Sequence, residues 1–152
     1  MHKFILMIFA CTALLGCVHA AGTTKDTSRQ QHAAKPEMSE QRILDTRWKL
    51  VELWGKPVTG EERFPFILLH GTQGFVSGYG GCNSIRGAFE LKPGNRVRFT
   101  NMASTMMACP DMDLEQEFFK VLEMTDNFAC DGKTLFLHKA RMAPLAKFEA
   151  VD

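Results

Sequence analysis

Apolar residues follow two different patterns along the chain. Residues 4–16 form a single run without a charged side chain, and Lys3 precedes it. The run is shorter than the roughly 20 apolar residues that cross a membrane, and its length and basic start are typical of a secretory signal peptide. From residue 43 onward, apolar residues occur in short runs separated by Gly, Pro, Asn and Asp. This second pattern predicts β-strands joined by turns.

The second part of the chain also contains one helical pattern. Leu114, Phe118, Val121 and Leu122 recur at the spacing of one helix face, which predicts an amphipathic helix. The expected strands lie at residues 48–53, 64–70, 75–79, 85–91, 96–99, 133–138 and 145–149. We therefore predict an α+β, strand-rich fold, in which a curved antiparallel sheet or half-barrel is covered by one main α-helix.

The apolar run ends in Leu14-Leu15-Gly16-Cys17, which resembles the lipobox of bacterial lipoproteins. The resemblance implies a signal peptide at residues 1–16 and acylation of Cys17. Two or more acyl chains hold a protein stably on a membrane, whereas one chain binds marginally. Val18 stands where Asp would favour the inner membrane, so the outer membrane is the expected site. We predict a lipid-anchored, periplasm-facing protein of the cell envelope. An N-terminal helix with an incidental cysteine is the alternative.

Residues 17–42 separate this anchor from the predicted domain at residues 43–152. The segment lacks aromatic residues and is rich in Ala, Thr, Ser, Gln and Lys. A segment of this composition cannot bury enough apolar surface to fold alone, so we expect a flexible tether.

Charge and composition exclude some partners. The chain has 18 Lys+Arg and 17 Asp+Glu, a formal net charge of +1, whereas a nucleic-acid-binding domain usually carries a clear basic excess. The hydrophobic fraction of 45% is that of a globular protein. No sequence feature implies a cofactor.

Two segments in the middle of the domain carry a recognisable signature. They read VSGYGGCNS at residues 76–84 and MASTMMACP at residues 102–110. Together with the start at Trp48 and a following helix that contains Glu, they resemble the META domain family, also called HslJ-like. This resemblance implies a role in envelope stress or antibiotic tolerance. The residues that match the signature are Gly78, Gly81, Cys82, Asn83, Thr105, Met107, Cys109 and Pro110.

The signature segments also hold two of the three cysteines in the domain. Cys82 and Cys109 could oxidise to a disulfide outside the cytoplasm, and Cys130 is the alternative partner for Cys109 or a free thiol. The glycines before Cys82 suit a bulge or tight corner in a curved sheet. Asn83 is expected to bond backbone groups at that corner.

No catalytic motif stands out in the sequence, and we predict that the protein is not an enzyme. His70 and His138 end candidate strands, where a surface role is expected. A hydrolase that pairs one of them with a cysteine is the weakest functional hypothesis. Glu115 and Glu117 are expected to be negative charges in the first turn, where the helix dipole favours them, and not catalytic acids.

The main prediction is a non-enzymatic envelope lipoprotein that acts as a binding or structural module. Its acyl chains would hold it on the membrane, and an apolar groove would take an envelope protein or an apolar ligand. The alternative is a periplasmic copper-binding protein, because soft sulfur ligands select Cu(I), although methionines also commonly fill irregular cores. The groove residues are Phe66, Leu68, Phe118 and Phe136, and the copper ligands would be Met102, Met106, Met107 and Cys109.

Overall fold

The computed structural model describes residues 42–60, 63–109 and 112–151. The predicted signal peptide, Cys17 and almost all of the predicted tether lie outside these residues, as does Pro110. Within the described part of the chain, no helix has the length and apolar character needed to cross a membrane.

The described residues form nine strands and one main helix. Every strand pairing is antiparallel. The elements are β1 (Arg47–Leu53), β2 (Lys56–Pro57), β3 (Phe66–His70), β4 (Phe75–Tyr79), β5 (Ser84–Lys92), β6 (Arg96–Ser104), α1 (Asp113–Met124), β7 (Asn127–Cys130), β8 (Thr134–His138) and β9 (Ala146–Val151).

The strands form one sheet that curls until its two edges meet. Their order is β6-β5-β4-β3-β1-β9-β8-β7, with β2 attached to β1. At the two ends of this order, the N–H of Phe128 donates to the carbonyl of Asn95 at 2.9 Å, and the N–H of Val97 donates to the carbonyl of Asp126 at 3.4 Å. These bonds bring the β7 edge to the β6 edge, and the sheet becomes a nearly closed barrel.

This architecture corrects the predicted fold class. An α+β half-barrel covered by a helix is wrong, because the sheet closes almost completely on itself and, within the described residues, carries one short helix. The prediction missed β2 and β7 and ended β6 five residues too early. With those residues added, the sheet has enough strands to curl round, which protects its edges by pairing them.

The core lies inside the curled sheet and follows the alternation of the strands. Buried residues alternate with more exposed ones along β1, β3 and β8, as expected where one sheet face is buried. The indole N–H of Trp48 donates to the carbonyl of Ile43 at 2.9 Å. The helix contributes Phe118, whose ring centroid lies 6.0 Å from that of Phe148.

The predicted apolar groove does not exist in this fold. Phe118 is fully buried in the core. Phe66, Leu68 and Phe136 alternate with buried neighbours along their strands, so they lie on the outer face of the sheet. The four residues therefore occupy two opposite faces and cannot line one groove.

Candidate functional site

The site is built around a buried carboxylate in the first turn of α1. Glu115 is only 5% exposed. Its Oε2 accepts hydrogen bonds from the N–H of Cys82 at 3.1 Å and of Asn83 at 2.6 Å, and its Oε1 accepts one from Nδ2 of Asn83 at 2.8 Å. Hydrogen bonds to a charged group contribute about 1.5–3 kcal/mol each. These three bonds fix the start of the helix to the turn before β5.

Asn83 extends this contact to the segment after β6. Its Oδ1 accepts from the hydroxyl of Thr105 at 2.7 Å and from the N–H of Met107 at 2.8 Å. Its Nδ2 also donates to the carbonyl of Met107 at 3.3 Å. Asn83 is fully buried, and it bonds the backbone as expected from the sequence. Both signature segments and the helix therefore meet at one polar side chain.

A disulfide joins the same two signature segments. Cys82 and Cys109 are bonded, with their Cα atoms 6.2 Å apart. Cys130 is free and half-buried, and burial raises the pKa of its thiol. Of the two pairings considered from the sequence, the structure contains the one between the signature segments.

Two glycines of the first signature segment are explained by close approach of other groups to their backbone, more than by backbone freedom. A Cβ on Gly80 would lie 2.6 Å from Cγ of Glu115, and a Cβ on Gly78 would overlap the carbonyl oxygen of Phe66. Gly81 is different, because its φ of 116° is in the region that favours glycine. The bare backbone at these positions lets Glu115 and β3 come close.

An apolar cleft of about 500 Å³ opens beside the contact between Glu115 and the two signature segments. It lies between the end of β6 with its following segment and the exposed side of α1. Met106 is 97% exposed and Met107 is 57% exposed. The cleft is lined by Ser104, Thr105, Met106, Met107, Ala108, Met112, Glu115, Gln116, Phe119, Lys120 and Glu123.

The model of the META domain matches residues 41–152 of the chain, which covers the sheet, the helix and both signature segments. The chain belongs to the META domain family. No curated protein matches it.

Three solved structures share the fold of this META domain. An NMR structure of a protein from Burkholderia xenovorans is 18% identical, with a TM-score of 0.62, and the match covers 86% of this chain and 99% of that one. A second NMR structure is 21% identical with a TM-score of 0.58, covering 72% and 92%. A crystal structure of a DUF4847 family protein from Bacteroides vulgatus is 15% identical with a TM-score of 0.54, covering 72% and 95%. At these identities the likeness concerns the fold alone.

The candidate copper ligands of the META domain do not form a common set. Cys109 is bonded to Cys82 and has no thiolate to offer. Met102 is partly buried against the core beside Gly87, whereas Met106 extends into solvent. The sulfur of Cys109 is in a disulfide, Met102 packs against the core, and Met106 and Met107 are exposed. This separation does not support the copper hypothesis.

The histidines also lie in other settings. Nε2 of His70 is 2.8 Å from Oγ of Ser77, and its ring stacks on Phe75 at 4.0 Å. Nδ1 of His138 is 3.4 Å from the carbonyl oxygen of Met142. With Cys82 and Cys109 oxidised, neither signature sulfur is the thiolate nucleophile that a Cys–His hydrolase requires.

Glu115 is the residue whose role the sequence analysis missed. It lies in the first turn of α1 as predicted, but the prediction did not include burial of its carboxylate or the hydrogen bonds it accepts from the turn before β5. Gly80 is the signal that could have indicated this, since glycine often stands where another group approaches the backbone closely.

Proposed function

We propose that the protein is a non-enzymatic lipoprotein of the cell envelope whose META domain binds exposed apolar segments of other envelope proteins in the methionine-lined cleft. The observation that carries the proposal is the exposure of Met106 and Met107 at the mouth of an apolar cleft. Large exposed apolar side chains in one patch mark interaction sites in soluble domains.

The construction of the cleft supports binding of varied apolar segments. Asn83 holds both backbone groups of Met107, so the wall is rigid while its side chains stay free to adapt. Methionine is flexible and polarisable, and surfaces rich in it bind many sequences. Phe119 provides a larger apolar contact on the helix side, and Lys120 and Glu123 add a mixed-charge rim.

The chemistry beside the cleft supports a role without catalysis. Both oxygens of Glu115 accept hydrogen bonds from the turn before β5. The two nearest sulfur atoms are joined to each other. The groups most able to act as acid, base or nucleophile are thus used to hold the wall of the cleft in place.

The envelope location and the anchor rest on the sequence. The lipobox-like end at Cys17 supports acylation, and a disulfide suits an oxidising compartment outside the cytoplasm. The family resemblance supports an envelope-stress or antibiotic-tolerance role, in which unfolded envelope proteins would expose apolar segments. Val18 supports placement at the outer membrane, because Asp at this position would resemble an inner-membrane retention signal.

A binding experiment tests the cleft directly. The full chain, reconstituted in phosphatidylcholine nanodiscs, is titrated with a fluorescein-labelled, carboxymethylated lactalbumin that cannot refold, with empty nanodiscs as the blank. Burying a methionine contributes about 1.5–3 kcal/mol, so M106S/M107S should weaken binding by about 10-fold or more. M142S is the matched control, because Met142 is 55% exposed outside the cleft. Unchanged binding in the double variant, or equal weakening in the control, would overturn the proposal.

A labelling experiment tests the anchor separately. Cells that express the full chain incorporate labelled palmitate, and C17S should abolish the labelling while C130S should retain it. Labelling that persists in C17S would contradict acylation at Cys17.

A further inference from the structure

A second surface, on the other side of the disulfide, combines arginines with aromatic rings. The strand registers define it. Arg47 on β1 faces Leu68 on β3, Leu68 faces Ser77 on β4, and Ser77 faces Arg86 on β5. Residues opposite each other in antiparallel strands share one face of the sheet. This row therefore places an arginine at each end of a four-strand span on the outside of the barrel.

The neighbouring row on the same face is aromatic. Lys49 faces Phe66, Phe66 faces Tyr79, and Tyr79 faces Ser84. Side chains two positions apart on a strand point the same way, so the two rows lie side by side. We call this combined surface the basic aromatic face, formed by Arg47, Lys49, Phe66, Leu68, Ser77, Tyr79, Ser84 and Arg86.

The cations of this face rest on aromatic rings instead of carboxylates. The guanidinium carbon of Arg47 lies 4.0 Å from the ring centroid of Phe66, and that of Arg86 lies 5.8 Å from the ring of Phe75. Within the described residues, neither arginine forms an ion pair. Lys49 lies 4.7 Å over Phe64 and faces Glu149 of β9, so the arginines carry most of the unbalanced positive charge.

A cavity of about 360 Å³ opens beside Arg47 at the edge of this face. It is within the size range of small-ligand sites. Arg63 adds a second guanidinium to its lining, and Arg63 also forms no ion pair with a described residue. The remaining wall is Phe64, Phe66, Tyr79, Cys82, Ser84 and Met107.

We propose that the basic aromatic face binds the phosphate headgroups of anionic membrane lipids, with Arg47 and Arg63 on either side of one phosphate. Guanidinium groups bind phosphate through paired N–H donors, which makes arginine the preferred side chain for such contacts. A basic cluster near a membrane is attracted to anionic lipids. Tyr79 suits the same location, because a tyrosine combines an apolar ring with a polar hydroxyl and favours the headgroup level.

This inference needs neither the methionine cleft nor acylation of Cys17. Met107 lines both the cleft and the cavity, but Arg47 and Arg63 lie outside the cleft, and the ligand is of a different kind. Either one can therefore fail while the other holds.

The test compares two double variants that remove the same amount of charge. The full chain carrying C17S is sedimented with vesicles of phosphatidylcholine alone and of phosphatidylcholine mixed with phosphatidylglycerol. R47Q/R63Q removes the two arginines of the cavity. R98Q/R141Q removes the same charge from two exposed positions outside it. Residues 1–41 are common to every protein compared, so their contribution cancels.

The expected result is stronger binding to the phosphatidylglycerol vesicles, weakened about 10- to 30-fold by R47Q/R63Q and much less by R98Q/R141Q. Circular dichroism confirms that both variants fold. Equal weakening by the two pairs would show diffuse charge attraction and overturn the proposal, as would equal binding to both vesicle types. Release by inorganic phosphate, but not by sodium chloride of the same ionic strength, would indicate a free-phosphate site and overturn the lipid assignment.

Discussion

The carboxylate of Glu115 accepts a 2.6 Å hydrogen bond from the backbone N–H of Asn83, which lies 32 residues earlier in the chain. Both residues are buried. A buried carboxylate without an arginine or lysine partner is costly unless hydrogen bonds replace the water it loses. Two backbone donors and one amide donor meet that requirement here. The helix and the signature turn thus stabilise each other.

Removal of this carboxylate should destabilise the fold more than removal of any exposed one. In Glu115→Ala, three buried donors lose their acceptor, and the expected loss in free energy of unfolding is about 3–5 kcal/mol. Glu115→Gln keeps one oxygen but turns an NH₂ group toward a donor, so about 1–3 kcal/mol is expected. Urea unfolding measures both, with the exposed Glu123→Gln on the same helix as control. A loss in Glu115→Gln no larger than in Glu123→Gln would contradict a structural role for the carboxylate.

The disulfide should contribute measurably to stability. It joins residues 27 apart in sequence, and closing a loop of that length stabilises a protein by about 3–4 kcal/mol in the chain-entropy model. Cys82→Ala/Cys109→Ala should therefore lower the urea midpoint, and reduction should lower the wild type to the same value. Cys130→Ala keeps the disulfide and should still respond to reductant. A reductant-insensitive wild type would contradict the pairing.

Mass mapping offers an independent check of the same bond. In the folded, unreduced protein, a peptide containing Cys82 should remain linked to one containing Cys109. Cys130 should be alkylated slowly, because burial raises the pKa of its thiol and the thiolate is the reactive form. Rapid alkylation of Cys82 or Cys109 before reduction would disagree with the structure.

Local patterns in the sequence predict most single elements of this domain. The bounds of β4 agree with the prediction because alternation and flanking glycines mark both ends of Phe75–Tyr79. The helix is found because its apolar spacing is regular. The prediction from the sequence missed two strands: β2, which has only two residues, and β7, whose formation depends on a distant partner. β7 has four residues and one large apolar side chain, Phe128, and it forms because β8 and the β6 edge lie beside it.

The second half of β6 shows the same limit. Apolar alternation ends at Phe99, yet the strand continues to Ser104. Residues Ala103 and Ser104 pair with Arg86 and Ile85 across a register shift, and a β-bulge of this kind depends on the partner strand. The predicted half-barrel was too open for a similar reason, because closure depends on hydrogen bonds between the β6 and β7 edges that local patterns do not show. The signature residues were identified from the sequence, but their meeting point at Glu115 is a contact between segments 32 residues apart, which local patterns do not show.

Gly78 should tolerate no side chain. A Cβ there would overlap the carbonyl oxygen of Phe66 in the paired strand, and backbone cannot move aside as a flexible side chain can. Gly78→Ala should therefore cost about 3 kcal/mol, at the upper end of the range for overpacking. Gly94→Ala is the control, because it has open space and only a positive φ of 87°, for which about 1 kcal/mol is expected. Equal unfolding midpoints for the two variants would argue against close approach of β3 and β4.

Acid should weaken the contact between the β6 and β7 edges, the seam that closes the barrel. The group involved is Asp126, which lies between α1 and β7. The N–H of Ala140 donates to its carboxylate at 2.8 Å, and this bond lowers the pKa of Asp126 in the folded protein. The backbone carbonyl of the same residue accepts from Val97 and from Nε of Arg96 on the other edge of the seam. A group whose pKa is lower in the folded than in the unfolded state stabilises the fold above its unfolded pKa. That contribution declines as the pH falls below about 4, the usual value for Asp, and through the folded pKa.

Asp126→Asn should therefore be less stable than the wild type at neutral pH and should lose less stability on acidification. Urea unfolding of Asp126→Asn and the wild type between neutral and acidic pH measures the difference. An unchanged profile in Asp126→Asn would show that the bond to Ala140 does not couple protonation to closure of the sheet.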